Sequence, residues 1–486
     1  MIDRAKKLIS DKGRLTELAV LCIPQLVCLA VFWPGELQWD HIVTVAGVAD
    51  GAPDQWHSII WGYVATPIIM ALGYGWYGLL QTIIQLALEW WSLESLRKSG
   101  LYGQRGELVL AVVYGLSPCF LMYGLLWGTD TLFAVMMMVM VTMMILTIRS
   151  DGAFLERRPN RIVLLFLMVM LTQFRKNAVL IPIVLYPILM IRYRKVRKAM
   201  LEDLGLALMV DLVLAGVFAL AGITASPPQE MLSVPAQQVG RVARDDGEVS
   251  DWAKAEFEKT RPWSQWAKEY QPPDADNMKK NLNGDVPGFL RAWADTGLRN
   301  PGTYVQAYMK IEYPYWQLTT DIIHDLELDH IRQDFNDYTL WEVNGKVVPQ
   351  KAICDVNGGK CYHDPELIEK LLVKHNPRQE WLNNFYDSVM KYHIPLVTDS
   401  FTLVFFNAAL PLWSIVLSLI LIGKGHRKNW LVVWTAPSLI MLTLLLFSPI
   451  ALFRYALQVI WSLPVLIMWT WKEAMNHEDG STHSLS

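Results

Sequence analysis

The stretch PGELQWDHIVTVAGVADGAPDQW, residues 34–56, decides how the rest of the chain is read. It follows a first apolar run at about 16–33 and carries Glu36, Asp40, Asp50 and Asp54 with no Lys or Arg. On the far side of that run stand Arg4, Lys6, Lys7, Lys12 and Arg14. Basic residues before an apolar segment and acids after it predict a membrane helix that keeps its N-terminus in the cytoplasm. No small-residue cleavage site follows the run, so it is expected to stay as an anchor.

Composition extends this reading to the whole chain. Of the 486 residues, 53% are hydrophobic and 18% charged, against about 25% charged in ordinary soluble domains. The apolar residues cluster in runs near the ~20 needed to cross a bilayer. Basic residues then sort the loops. Arg97, Lys98 and Arg105 are best kept inside, which predicts that 57–73 lies along the outer surface as a juxtamembrane helix broken near Pro67 while 76–96 crosses. Further spans are expected at 107–127, 130–148, 162–174, 178–193, 203–223, 401–423, 430–448 and a last one ending near Trp471. The expected fold is therefore mainly α, a polytopic helical membrane protein of about ten transmembrane helices plus the juxtamembrane helix, both termini inside. The Met-rich run 136–144 reads as lipid-facing or packing surface.

Residues 224–399 are polar and long enough for a domain of their own, expected to be mostly helical and extracytoplasmic. Apolar spacing predicts helices within 250–271, 286–298 and 364–393. TLWEVNGKVV, 339–348, predicts a hairpin turning at Asn344–Gly345. Cys354 and Cys361 bracket a polar loop and are expected to form a disulfide if that loop is outside the cell, whereas Cys22, Cys28 and Cys119 lie in apolar runs as packing residues. The domains so predicted are 1–223, 224–399 and 400–486.

A few polar residues fit this plan poorly. Arg175, Lys176 and Arg454 fall in short external turns, where basic residues are disfavoured. A guanidinium at the start of an apolar span needs an acid, backbone carbonyls or an anion beside it, and a lipid phosphate suits its planar fork; the alternative is interfacial snorkelling. Asp40, between Trp39 and His41, and Asp130, in GTDT, face the same side. Asp130 alternatively reads as a helix cap and Asp40 as a solvated loop acid. His41 and His57 offer imidazoles to a metal, although a His in a Trp-rich loop is more often a satisfied surface residue.

In order along the chain, Asp40 after the first span, His57 opening the 57–73 segment, Pro118 in LSPCF and Asp130 at the start of a span resemble the GT-C class of membrane glycosyltransferases. Ser58 stands where that class often has Pro. The resemblance covers about 1–223 and 400–475 and gives the expected fold a GT-C-like arrangement, with residues 1–223 as the catalytic module. It implies a donor made of a monosaccharide on a polyprenyl phosphate, a glycan, lipid or protein acceptor, and a site on the outer face of a bacterial plasma membrane. Asp40 and Asp130 are then the catalytic carboxylates, Arg175, Lys176 and Arg454 the donor-phosphate contacts, and Trp39 and His57 the contacts to sugar or acceptor. No cofactor is required, a divalent ion between Asp40 and Asp130 being compatible with the pattern, and no nucleic acid is expected. Two other classes stay open: a lipid or sugar transporter, which would predict internal repeats and ionisable residues near mid-span, and a non-enzymatic envelope-assembly protein; no repeat is seen, and Glu89 and Asp211, the only acids well inside apolar runs, look unpaired.

Overall fold

The computed structural model describes residues 12–37, 39–223, 231–272, 275–279, 282, 285–318, 341–343, 346–348, 353–354, 361–371, 403–422 and 427–482. The protein is mostly helical and contains apolar helices of membrane-span length. The expectation of about ten spans in a GT-C-like fold is corrected: among the described residues 4 helices are long and apolar enough to cross a membrane, Gly13–Val31, Thr129–Arg149, Arg194–Leu220 and Arg427–Phe447.

The reasons are local. The run at 107–127 is cut where Ser117 turns extended ahead of Pro118, leaving Gln104–Leu116 at 13 residues and Pro118–Tyr123 at 6. A residue before proline is driven out of the helical region, so this break is dictated by the sequence. The 162–174 run becomes a 17-residue helix, Arg158–Phe174. The next run is a turn of 3-10 helix followed by 13 residues, Leu180–Arg192. Leu410–Leu421 has 12 residues and Phe453–Ile460 has 8. At 1.5 Å per residue none of these covers a hydrocarbon core of about 30 Å. Tyr74–Lys98, 25 residues, is long enough but carries Gln81, Gln85, Glu89 and Glu94 and ends in Arg97 and Lys98. The surface segment is one helix, Ile59–Leu72, capped by the Ser58 hydroxyl at the Trp61 amide, and Pro67 does not break it. Its boundary lies instead at Gly73, whose φ of 90 suits only glycine.

Thr129–Arg149 is the axis of the bundle. Tyr74–Lys98, Arg158–Phe174, Arg427–Phe447 and Phe453–Ile460 all pack on it. Its methionines are core: Met137, Met138 and Met140 are fully enclosed. Flexible thioether side chains fill the irregular space between helices that cross in several directions. Arg194–Leu220 is the opposite case, with only 6% of its apolar window buried.

The helices from Ser233 to Arg299 gather round a second core of Phe257, Trp266, Tyr270 and Phe289. The expected helix at 250–271 is two, Asp251–Glu258 and Trp263–Glu269, parted at Arg261–Pro262. Val286–Arg299 is continuous. Pro365–Leu371 is helical, and the remainder of the 364–393 prediction lies outside the described residues. Trp341–Val343 pairs antiparallel with Lys346–Val348, with Val343 opposite Lys346. Asn344 and Gly345 themselves lie outside the described residues. Ile353–Cys354 pairs with Cys361–Tyr362, Cys354 opposite Cys361. Cys361 is disulfide-bonded, and Cys22, Cys28 and Cys119 are free thiols.

Candidate functional site

A two-residue parallel pairing builds the site. Glu36 lies opposite Leu126 and Leu37 opposite Trp127. This ties the segment after the first helix to the segment before Thr129–Arg149. Trp127 locks the joint: its indole N–H donates to the Pro34 carbonyl at 2.9 Å, and its ring lies against Gly35 and Gly78, where any Cβ would collide with it. Gln81 adds a clamp, donating to the Leu126 carbonyl at 3.1 Å and accepting from the Gly128 amide at 3.2 Å.

Past the joint each strand turns into a helix. Asp40 is not in a loop, as its sequence context suggested, but in the first turn of the helix Trp39–Ala49. Ile42, Val43, Val45 and Ala46 bury that helix. Asp130 is likewise in the first turn of Thr129–Arg149. His41 joins the two starts: its Nε2 accepts from the Thr129 amide at 2.8 Å and lies 2.9 Å from the Thr129 hydroxyl. An Nε2 that accepts an amide proton carries none itself, so the ring is neutral with its proton on Nδ1. Burial holds the His41 value down to about 3.

A third helix start arrives from the far end of the chain. Arg454 is in the first turn of Phe453–Ile460, and its Nη2 lies 3.1 Å from Asp40 Oδ2. Cations are disfavoured at a helix N-terminus, so the carboxylate partner matters here. The other Asp40 oxygen faces His57 Nε2 at 3.8 Å, a gap wider than a hydrogen bond. Asp130 pairs with Arg175, which sits in extended conformation as the Arg158–Phe174 helix ends. Tyr455 lies between the two cations, with the Arg175 and Arg454 guanidinium carbons 5.2 and 5.1 Å from its ring centroid. Lys176 donates to the Gln55 carbonyl at 2.7 Å and so borders the loop that leads to His57. Asp40, His57, Asp130, Arg175, Lys176 and Arg454 are thus brought together. The side chain of Trp39 lies outside the described residues.

The charges are tuned by this packing. Burial alone raises the Asp40 carboxyl, but the Arg454 guanidinium, helped by His57, His41 and Arg175, outweighs it and holds the group below the ordinary carboxylate range. Burial lowers His57 against the opposing pull of Asp40. With both imidazoles neutral, Arg175, Lys176 and Arg454 against Asp40 and Asp130 leave one net positive charge. Among the described residues no group of three or more His, Cys, Asp or Glu gathers as a metal site. Asp40 and Asp130 each face a guanidinium.

The chain belongs to the DUF6020 family. This is a family of unknown function, and its match spans residues 19–484. No curated protein and no solved structure matches the chain. The DUF6020 match takes in both sequence ends of the site, Asp40 and Arg454, together with everything between them.

Two members of the site are not legible as such in the sequence. Tyr455 reads as one more apolar-span aromatic, although its place beside Arg454 is the available signal. His41 reads as a surface imidazole, yet it is buried and holds a helix start. Glu89 and Asp211, which look unpaired in sequence, are both partnered. Glu89 accepts from Trp461 Nε1 at 2.9 Å and Gln85 Nε2 at 3.2 Å. Asp211 accepts from the Thr172 hydroxyl at 2.9 Å and Gln173 Nε2 at 2.8 Å.

Proposed function

We propose that this protein is a membrane-associated glycosyltransferase that moves a monosaccharide from a lipid-phosphate donor to a hydroxyl acceptor, as its resemblance to GT-C enzymes implies. The observation that carries the reading is the meeting of three helix starts, Trp39–Ala49, Thr129–Arg149 and Phe453–Ile460, with Arg175, Arg454 and Asp40. Helix N-termini present amide donors and partial positive charge, which favours anions. Two guanidiniums add forked donors matched to a phosphate. A carboxylate 3.1 Å from one of them supports the reading, because it supplies a proton acceptor for the incoming hydroxyl within reach of the anion site.

The reaction is a single displacement. The acceptor oxygen forms a bond to the anomeric carbon as Asp40 takes its proton. The bond from that carbon to the phosphate oxygen breaks, and its electron pair leaves with the lipid phosphate. Arg454 and Arg175, with Lys176 at the rim, stabilise the charge that grows there. The anomeric configuration inverts. Lipid acceptors, glycans and proteins all offer the required hydroxyl, and the outer face of a bacterial plasma membrane is the setting this reading assigns. The test is turnover by the purified full chain in detergent, with a panel of polyprenyl-phosphate monosaccharides and short-chain alcohol acceptors. Release of polyprenyl phosphate with a new glycoside is expected; neither product from any donor sinks the reading.

A further inference from the structure

The Asp40–Arg454 contact joins two helix starts that are far apart in the chain. One oxygen of Asp40 is engaged by Arg454 at 3.1 Å, and the other faces His57 at 3.8 Å, beyond hydrogen-bond distance. The proton acceptor and the phosphate contact of the reaction proposed above are thus partners of each other. Resting on that reading, we infer that Arg454 gates the base: it holds Asp40 unreactive until a donor phosphate draws the guanidinium away, so the donor must bind before the acceptor can be deprotonated.

The argument is electrostatic. A carboxylate beside a fixed cation is stabilised as the anion and is a weak proton acceptor. The groups that face Asp40 are Arg454, His57, His41 and Arg175. Of these, Arg175 is committed to Asp130 and His41 to Thr129. Burial lowers His57 and it stands beyond hydrogen-bond distance of Asp40, so it is a weaker counter-charge than Arg454. Arg454 is therefore the one strong brake, and it sits at the helix start that a phosphate would approach. A phosphate competes for the same forked donors. As the guanidinium turns to it, the partial positive charge at the start of Trp39–Ala49 still favours the Asp40 anion, but the main charge that suppressed its basicity is shared with the ligand. The Tyr455 ring, 5.1 Å from the guanidinium carbon, gives Arg454 a face on which to slide without losing its cation–π contact. Such a gate prevents deprotonation of a bound alcohol or water when no phosphate is present.

Carbodiimide labelling tests this on the full chain in detergent, because the reagent adds to the protonated carboxyl and an added amine traps it as an amide. Farnesyl phosphate serves as the probe, read by mass spectrometry at Asp40 and by phenylglyoxal protection at Arg454. Protection of Arg454 together with about tenfold more Asp40 labelling at pH 5, the change that one unit of upward shift requires, is the expected result. Arg454→Ala and Arg454→Gln should each show the increase with no farnesyl phosphate added. Protection of Arg454 without any rise at Asp40, or variants with unchanged labelling, overturns the gate and leaves the phosphate site standing. Absence of protection overturns the phosphate site itself, and the gate with it.

Discussion

The two ion pairs of the site are mirror images in exposure. In the Arg175–Asp130 pair the acid is sealed, 5% exposed, and the cation is 27% exposed. In the Arg454–Asp40 pair the cation is 12% exposed and the acid 25%. The same chemistry therefore serves two ends. Asp130 is a buried counter-charge that aims Arg175 outward, whereas Asp40 offers its own oxygen to whatever enters. Although both acids stand in the first turn of a helix and both read as catalytic in sequence, only Asp40 has the exposure that direct proton transfer requires.

The sharpest way to break this contrast is to neutralise each acid in turn. Asp40→Asn keeps the shape but removes the basic lone pair, so turnover should fall about 100- to 10,000-fold while farnesyl phosphate binding persists. Asp50→Asn, in an exposed turn, is the control and should change stability by no more than about 0.5 kcal/mol. A fully active Asp40→Asn variant refutes the assignment. Asp130→Asn should act first on stability, by about 1–3 kcal/mol, because it leaves Arg175 short of its partner. Thermal unfolding of the detergent-solubilised protein reads that loss, and an unchanged midpoint alongside base-like loss of turnover would show that the two acids have exchanged roles.

The cations should differ more mildly. Arg454→Lys keeps the charge and loses the fork, so farnesyl phosphate affinity should drop about tenfold, near 1.4 kcal/mol. Arg175→Lys, still paired with Asp130, should lose less. Equal losses in calorimetric titration would erase the distinction between the pairs.

The effect of pH on folding is a separate test. His41 and His57 both lie below their ordinary value of 6.5 in the folded protein. As pH falls below 6.5 the unfolded chain therefore binds more protons than the folded one. The stability tied to these rings is complete above 6.5 and is lost as pH falls below it, at up to about 1.4 kcal/mol per unit for each ring. Unfolding midpoints at pH 7.5 and 5 should differ accordingly, and less so in His41→Gln. An identical pH slope in that variant would mean that His41 is not held neutral.

The charged half of the site is legible in sequence because Arg175, Lys176 and Arg454 are basic residues set in short turns between apolar runs. The bundle is less legible. Hydropathy counts apolar residues but does not see where a helix is interrupted, and the breaks at Ser117–Pro118 and the turn after Phe174 divide apolar runs into pieces too short to cross. Asp40 shows the converse. Trp39–Ala49 sits in a segment with acids and glycines at its ends, and those turn residues mask the apolar spacing of Ile42, Val43, Val45 and Ala46 that makes it a buried helix. Tyr455 and His41 stay hidden because their roles depend on partners distant in the chain.

The pairing of Asp40 with Arg454 also sets a timetable. Synthesis delivers Asp40, His57, Asp130 and Arg175 early, and the Asp130–Arg175 pair and the Trp127 joint need nothing from later residues. Arg454 emerges only after the whole polar insert has been made. Until then Asp40 stands at its helix start without its cation. A nascent chain therefore passes through a stage in which the early part of the site is in place and its last cation is not, and the translation of a single late turn, Phe453–Tyr455, supplies both Arg454 and the Tyr455 ring beside it.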